Sequence, residues 1–358
     1  SKIKRGGVVP GKEIPFVPPV SPDNPAKETG FGFETTEPPT EGSPSLSDPL
    51  DKFEPVREEQ RKQEEKKEEA KTEEESAAMQ GLFSEETPEE VIGFVDACRE
   101  LIEPEVKTLT PTLDIGCYAG KRRQLPWYLL AVAVLANNGY SVMLHGAHEP
   151  GSGRLYASIA LPQLGLFEVS SIEDAKQQLT DKGVTYLDLS YLLPALDTII
   201  KLREVFGLRS CANTLARLLN PTAAQFCVQG VYHMHLDHKH CRVNENYPSI
   251  DALCFRGDGG DPEVNGERET ELFITRNGET EEVIMPVVAD KWALKDKDMN
   301  VNDMLDVWAG NASSLYGEQA VLSTLASYLV LLQKCDVADA LSQARQLWAQ
   351  REKTSTPF

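Results

Sequence analysis

Between residues 84 and 350 the sequence alternates short apolar segments with longer helical ones, and this alternation constrains the fold more than any other feature. The segment 84–102 has the spacing of an amphipathic helix, and the short strand TLDIG follows at 112–116. An apolar helix over 125–138 and a strand over 140–146 come next. Strands that alternate with helices predict a doubly wound α/β fold, with a mostly parallel sheet flanked by helices.

The last third of the sequence departs from this alternation. From Asp251 onward, a strand and a glycine-rich loop lead into the segment ETELFITRNGETEEVIMP, whose centre is Asn277-Gly278. An Asn-Gly pair between two alternating segments favours a tight antiparallel hairpin, because both residues tolerate positive φ. Further helices are predicted over 301–309 and 316–350.

The N-terminal region differs in composition from the rest of the chain. Ten of the 23 prolines lie within the first 50 residues, and residues 57–75 are almost entirely charged. Such segments bury too little apolar surface to offset the entropy of ordering them. We therefore divide the chain into an extended Pro/Gly-rich tail over 1–56, a charged helix or linker over 57–83, and an α/β domain over 84–358.

A few apolar residues in the tail indicate a role in partner binding. Ile14, Phe16 and Val17 lie among prolines, which preset an extended backbone and so lower the entropy cost of docking. They are too few to form a core of their own, but they suffice to anchor the tail on another protein. The sequence therefore predicts a protein complex that is contacted through these three residues.

Charge and cysteine content narrow the classes of partner and compartment. The net charge of −20 opposes binding to nucleic acid and to anionic membranes, so nucleic acid is a disfavoured partner. No apolar segment reaches the ~18 residues of a transmembrane helix. Seven cysteines without a CxxC pair predict buried free thiols. We expect a soluble intracellular protein in a reducing compartment, either the cytoplasm or an organelle matrix or stroma.

One loop has the layout of a phosphate-binding site. In LDIGCYAGKRRQ a strand is followed by Gly116 and Gly120, then by the basic residues Lys121, Arg122 and Arg123 at a predicted helix start. Backbone N–H groups and positive charge at a helix N-terminus attract anions. A phosphate or a nucleic-acid backbone could therefore dock at this loop.

The order of five motifs resembles the anthranilate phosphoribosyltransferase-like family, also called glycosyltransferase family 3. The resemblance extends from about Thr87 to Leu347 and rests on PEEVIGFVDACRE, LDIGCYAGKRR, VMLHGAHEPGSG, LRSCANTLARLLNPTAAQFCVQGVYH and FRGDGGDPEV. It implies an α/β domain of the nucleoside-phosphorylase type that follows an N-terminal helical subdomain, truncated in this chain. It leaves a homodimer as a further option.

The glycine loop departs from the family pattern. Where active members have Gly-Thr-Gly-Gly-Asp for phosphoribosyl pyrophosphate, this chain has Cys117, Tyr118, Ala119, Gly120 and Lys121. A Cβ where the backbone needs positive φ costs about 1 kcal/mol or more. The resemblance therefore implies that the pyrophosphate cradle has been lost and that the Tyr118 ring fills the pocket.

The acceptor pocket is also altered. The resemblance assigns a degenerate ligand pocket to His145, Gly146, Arg209 and Asn213. Ala147 and His148 replace the family's Asn-Arg pair, and Leu192-Leu193-Pro194 replaces its His-His-Pro turn. No catalytic residue is assigned to this chain.

Two groups of polar residues suggest metal binding. The resemblance places Asp258, Asp261 and Glu263 at the family's magnesium motif, so magnesium is expected only if a phosphorylated ligand binds, and otherwise no cofactor is expected. The alternative for these acids is a solvated turn. The segment YHMHLDHKHC offers a zinc site, against the alternative of exposed histidines at a strand end, and its spacing matches no standard zinc motif.

Three functions remain open from the sequence. The first is a catalytically degenerate phosphoribosyltransferase-like fold that serves as a structural or interaction subunit. The second is a glycosyl or phosphoribosyl transferase with another acceptor or donor, which the altered loop disfavours. The third is a nucleic-acid-binding protein, which the net charge disfavours.

Overall fold

A seven-stranded sheet organises the described residues, with strand order β3-β2-β1-β4-β5-β6-β7. This computed structural model describes residues 86–149, 151–202, 205, 211–289, 291, 296 and 298–358. The predicted tail and charged linker, with Ile14, Phe16 and Val17, lie outside the described residues.

The first five strands are parallel, as the sequence predicts. They are β1 (Leu113–Cys117), β2 (Val142–Gly146), β3 (Val184–Asp188), β4 (Phe226–Val231) and β5 (Asp251–Arg256). Their residues are almost all buried, which is typical of parallel strands covered by helices on both faces. Parallel strands also end at the same edge of a sheet, so the loops after β1, β2, β4 and β5 lie together.

The sheet ends in the predicted hairpin. β6 (Thr270–Arg276) is antiparallel to β5, and β7 (Glu279–Met285) is antiparallel to β6. The turn residues Asn277 and Gly278 have φ of 54° and 80°, which is the conformation that their side chains favour. β7 forms one edge of the sheet.

Eleven α-helices are present in the described part of the chain. They are α1 (Pro88–Leu101), α2 (Tyr128–Asn137), α3 (Ala157–Gln163), α4 (Ile172–Lys182), α5 (Leu189–Leu192), α6 (Pro194–Lys201), α7 (Ala212–Leu215), α8 (Leu236–Asn244), α9 (Asn302–Ala309), α10 (Leu315–Gln333) and α11 (Val337–Gln350). Short 3-10 turns occur at Val106–Thr108, Ala216–Leu218 and Asp258–Gly260.

Local sequence accounts for the position of α1. Thr87 caps it by accepting from the Glu90 backbone N–H, the Glu90 carboxylate accepts from the Thr87 N–H, and Pro88 occupies the first turn. By contrast, α2 is buried on nearly every side, including Trp127 just before it and Tyr128. These two aromatic residues therefore belong to the core.

The helix α8 was not predicted. The segment after β4 was predicted as the end of a strand with exposed histidines, but it turns at His235 and continues as α8. His240 is buried, and its Nδ1 lies 2.9 Å from the Gln229 Oε1. Burial is the main reason that the pKa of His240 is lowered to about 3, with Arg217 and Lys239 adding to the effect. The histidine-rich segment therefore supplies a core residue.

Among the described helices, α10 alone has the length and apolar composition to cross a membrane, but 78% of its most apolar window is buried inside the domain, as in a core helix. The seven cysteines are all free thiols, and five are buried. The prediction of unpaired cysteines is confirmed, while the compartment stays a prediction.

Candidate functional site

Among the described residues, those singled out in the loop after β1, the segment after β2 and the acidic turn lie at the carboxyl edge of the parallel strands. The loop Tyr118–Gln124 follows β1, residues 147–149 follow β2, and the acidic turn Asp258–Glu263 follows β5. This edge is where open α/β sheets bind ligands. Side chains of this chain form hydrogen bonds that connect each of these segments to its neighbours.

The backbone amides of the loop after β1 bind a carboxylate. Both the Ala119 and Gly120 N–H groups donate to the Asp261 Oδ1, each over 3.2 Å. Asp261 is buried. An anion does occupy the amide nest that the strand–loop–helix layout predicts, but this anion is a side chain from the neighbouring acidic turn.

Arg154 and Tyr156, which follow β2 in the chain, contact the same loop at Gly120. Gly120 has φ of +69°, and an added Cβ would lie 2.9 Å from the Tyr156 ring. The Arg154 Nη1 donates to the Ala119 carbonyl over 3.1 Å and to the Gly120 carbonyl over 3.0 Å. The loop's amides and carbonyls therefore both have partners in the fold.

Lys121 turns inward from this loop and reaches the acidic turn. Its Nζ lies 2.7 Å from the Glu263 Oε1, 3.0 Å from the Asp258 Oδ2 and 3.1 Å from the Asp258 carbonyl oxygen. The Lys121 side chain is only 1% exposed and the Glu263 side chain is 0% exposed. We refer to Lys121, Asp258, Asp261 and Glu263 as the charge cluster.

Neighbouring groups complete the charge cluster. The second Glu263 oxygen accepts from the Tyr128 backbone N–H at the start of α2 over 2.9 Å. From α10, the Tyr316 hydroxyl lies 3.3 Å from the Glu263 Oε1, and the Tyr328 hydroxyl donates to the Pro262 carbonyl. The charge cluster thus joins the loop after β1, the acidic turn and two helices.

Burial and charge act in opposite directions on these groups. Burial lowers the pKa of Lys121, but the Asp258, Glu263 and Asp261 carboxylates outweigh it and hold that pKa above its usual range. Burial raises the pKa of Glu263 to about 7, although Lys121 opposes the rise. The pKa of Asp261 is also raised by burial, against the effects of Lys121 and Arg217. Lys121 therefore remains an ammonium ion around which the carboxylates are arranged.

The acidic residues do not fit a magnesium ion in this arrangement. Two of the three carboxylates contact the Lys121 ammonium and the third accepts from the loop amides, so each carboxylate already has a partner within the chain. No group of three or more His, Cys, Asp or Glu side chains across the described ranges is placed to hold a metal. This finding also covers the described histidines of the segment after β4.

Tyr118 occupies the interior of the site. Its hydroxyl lies 2.7 Å from the His145 Nδ1, and the His145 Nε2 lies 3.1 Å from the Asp114 Oδ1. A carboxylate only accepts, so the Nε2–H donates to Asp114, while the Nδ1 is hydrogen-bonded to the Tyr118 hydroxyl. All three side chains are buried. That the Tyr118 ring fills the family's pyrophosphate pocket stays a prediction.

The remaining pocket residues are also enclosed. Asn213 is buried and donates to the Glu149 Oε1 over 2.7 Å, so a carboxylate of the chain already binds there. An added Cβ on Gly146 would overlap the Cys117 carbonyl oxygen, and one on Gly116 would lie 3.2 Å from the Arg217 Cα. Arg209 lies outside the described residues.

Arg122 and Arg123 are the exposed members of the basic run. The sequence predicts that Lys121, Arg122 and Arg123 together present positive charge to a phosphate. The structure separates them, because Lys121 is buried against carboxylates from the turn after β5.

Four other residues at this site were hard to identify from the sequence. Glu149, Arg154, Tyr316 and Tyr328 contact the loop, the pocket or the acidic turn, yet none of the four stood out by its residue type or spacing, although Glu149 lies within the segment VMLHGAHEPGSG. Asp114 was detectable, since a carboxylate inside an apolar strand needs a buried partner. The partner is the histidine of the neighbouring strand.

These observations define an α/β protein whose loops at the carboxyl edge of the sheet bind one another through buried charges. No protein-family model matches the chain. It is 30% identical over 202 residues to anthranilate phosphoribosyltransferase of Desulfitobacterium hafniense, a match that covers 56% of this chain and 59% of the relative. The relative from Metallosphaera sedula is 26% identical over 197 residues, or 55% of this chain and 57% of that protein. The chain thus spans less than two thirds of the length of these curated relatives.

Solved structures give the same result for the fold. Anthranilate phosphoribosyltransferase from Thermus thermophilus superposes with a TM-score of 0.60 at 22% identity, over 74% of this chain and 81% of that one. The Saccharomyces cerevisiae protein in complex with phosphoribosyl pyrophosphate and Mg gives a TM-score of 0.58 at 17% identity, over 74% and 76%. The chain has an anthranilate phosphoribosyltransferase-like fold, and the resemblance stated from the motifs is confirmed at that level.

Proposed function

We propose that this chain is a catalytically degenerate phosphoribosyltransferase-like fold that serves as a structural or interaction subunit of a larger assembly, anchored by its N-terminal tail. One observation carries the catalytic part of the proposal. The Asp261 carboxylate binds the loop amides that would receive a phosphate, and the Lys121 ammonium binds the carboxylates that would receive a metal. The proposal includes no cofactor.

Energetics support this proposal. A pyrophosphate ligand would have to displace Asp261 from two amides and bring further negative charge next to Asp258 and Glu263. Separating Lys121 from its partners would leave buried charges uncompensated, at a cost of about 3 to 5 kcal/mol. Since every 1.4 kcal/mol changes an affinity about tenfold, this cost alone weakens binding by roughly 100-fold or more.

The catalytic half is tested by titration of the full chain with phosphoribosyl pyrophosphate and magnesium in a calorimeter. We expect no saturable heat at millimolar ligand, and no release of pyrophosphate when anthranilate is added. The Thermus thermophilus enzyme, titrated under the same conditions, serves as the positive control. Saturable binding together with pyrophosphate release would establish the transferase alternative instead.

The interaction half rests on the composition of the tail. Ile14, Phe16 and Val17 lie in a proline-rich segment, and the charged run at 57–75 separates them from the folded domain. A preordered extended segment with a few apolar anchors suits docking in a partner's groove. A charged spacer of this kind extends by self-repulsion.

We expect deletion of residues 1–50 to leave the melting temperature of the domain nearly unchanged. The same deletion should abolish co-purification of the chain with its assembly from the native source. Replacing Ile14, Phe16 and Val17 with serine is the sharper variant, because it keeps tail length and charge. A large fall in melting temperature, or an intact chain that purifies without partners, would contradict the anchoring role. Salt-sensitive retention of nucleic acid by the intact chain would favour the third function.

A further inference from the structure

The edge strand β7 presents a regular main-chain surface that no other described segment covers. Its pairing with β6 is continuous from Arg276↔Glu279 to Thr270↔Met285, without a bulge. Residues 279–285 form no backbone hydrogen bond outside the hairpin within the part of the chain that the structure describes. Edge strands are usually blunted by bulges, prolines or charged side chains, because they pair readily with other strands. Residues 279–285 contain no proline, and their exposed charges are all negative, so they oppose another acidic strand and not a basic one.

The two-residue turn fixes which groups of β7 point outward. In such a hairpin, Arg276 and Glu279 form the hydrogen-bonded pair next to the turn, and the pairs alternate from there. The N–H and C=O groups of Thr280, Glu282 and Ile284 therefore face away from β6. Those three residues offer an added strand three donors and three acceptors.

Side chains along this edge determine the kind of strand that fits. β7 carries Glu279, Glu281 and Glu282, all of them exposed, and Arg276 compensates only Glu281 among them. Glu279 and Glu282 have no ion-pair partner among the residues described in the structure. Carboxylates directly opposite one another would repel, so a second copy of β7 is disfavoured. Lysine or arginine side chains would be attracted.

Space for such side chains exists beside the edge. A cavity of roughly 350 Å³ lies between α8 and the hairpin. Its lining includes His238 and Cys241 of α8, Glu245 directly after that helix, and Phe273, Thr280 and Glu282 of the hairpin. The Glu245 carboxylate accepts from the Thr280 hydroxyl over 2.9 Å. The cavity is therefore lined by two carboxylates, those of Glu245 and Glu282. Near the end of the strand, Ile284 is 45% exposed and offers an apolar contact.

We infer that β7 is a docking edge for an extended basic segment of another protein, which adds to the sheet as an eighth strand. The segment would carry Lys or Arg at alternate positions, with backbone bonds to Thr280, Glu282 and Ile284. This inference extends the proposed interaction role to a second surface, separate from the tail. It is tested by a different measurement from the ligand titration and the tail deletion, so its failure would leave the results of those two experiments unchanged.

The test uses a dye-labelled peptide of alternating lysine and valine and measures fluorescence anisotropy with the full chain. We expect saturable binding that weakens as salt rises, and none for the matching peptide of alternating glutamate and valine. Glu282→Pro removes an outward N–H without touching the ladder to β6, and should weaken binding about tenfold or more. Glu282→Gln removes only the charge and should weaken binding by a smaller factor. Equal affinities of the two variants would mean that the peptide is attracted by charge alone, and would overturn the inference.

A second measurement uses the unmodified chain, so that its result does not depend on how the proline variant folds. Bound peptide should slow amide hydrogen exchange at Thr280, Glu282 and Ile284, whose N–H groups face outward. The inward-facing amides of Glu281 and Val283 should change little, because β6 already protects them. Uniform slowing along β7, or none, would rule out strand addition.

Discussion

Lys121→Met should lower the free energy of unfolding by about 3 to 5 kcal/mol at pH 8, because it leaves buried carboxylates without their cation. Methionine is close to lysine in length and keeps the apolar stem, so the loss reports the ammonium group rather than a cavity. Chemical denaturation of the full chain, followed by far-ultraviolet circular dichroism, measures the effect.

The loss should depend on pH in a defined direction. Burial already raises the pKa of Glu263 from its usual 4.5 to about 7, and removal of Lys121 can only raise it further. A raised carboxyl pKa contributes stability that is fully present below the unfolded value and is lost as pH rises through the folded value. The stability deficit of Lys121→Met should therefore shrink as pH falls from 8 to 5, when Glu263 takes up a proton.

Two further variants distinguish the stability lost with the ion pair from any general effect of replacing lysine with methionine. Lys176→Met breaks an exposed pair with Glu173, whose atoms lie 3.8 Å apart, and should cost less than about 0.5 kcal/mol. Adding Glu263→Gln to Lys121→Met should restore part of the lost stability, because it removes the stranded charge. A deficit that is independent of pH and unchanged in the double variant would show that Lys121 acts only through packing.

The order of strands and helices was predictable because their signals are local. Thr87 and Pro88 begin α1 inside the predicted helical segment 84–102, and Asn277-Gly278 closes the hairpin between β6 and β7. The alternation of helices with strands was enough to predict a mostly parallel sheet. In each case the information lies within a few residues of the structure that it specifies.

The helix α8 was missed because its sequence is polar and begins at a left-handed residue. His235 has φ of 69° and provides no side-chain cap, so the usual signs of a helix start are lacking. Its buried face is built around His240 and Asn244, which bind Gln229 in β4. A polar network of this kind is specified by tertiary contacts, and periodicity of apolar residues does not reveal it.

The charge cluster could be predicted only in part. The residue types were visible, and their spacing suggested a phosphate site and a metal site. The partners were not visible, because Lys121 and Glu263 are separated by 142 positions in the chain. Whether a lysine at a glycine loop turns outward to a ligand or inward to carboxylates depends on the strand order β1-β4-β5, which brings the loop after β1 near the turn after β5. That geometry exists only in the folded sheet.

Gly257→Ala should lower the free energy of unfolding by about 3 kcal/mol and should also release the loop after β1. Gly257 has an ordinary extended conformation, with φ of −78°, so backbone strain plays no part. Its added Cβ would overlap the Asp261 carbonyl oxygen, which is backbone and cannot rotate away. The acidic turn must therefore shift, and Asp261 would move away from the Ala119 and Gly120 amides.

Two glycine controls isolate this steric effect. Gly93→Ala lies within α1 with nothing near its Cβ, so it should stabilise the protein by up to about 1 kcal/mol. Gly259→Ala also has open space but has φ of +65°, and should cost about 1 kcal/mol through its backbone alone. Hydrogen exchange completes the test, because the Ala119 and Gly120 amides should exchange faster in Gly257→Ala than in either control. If those two amides keep their protection while stability falls, Asp261 is not what orders the loop.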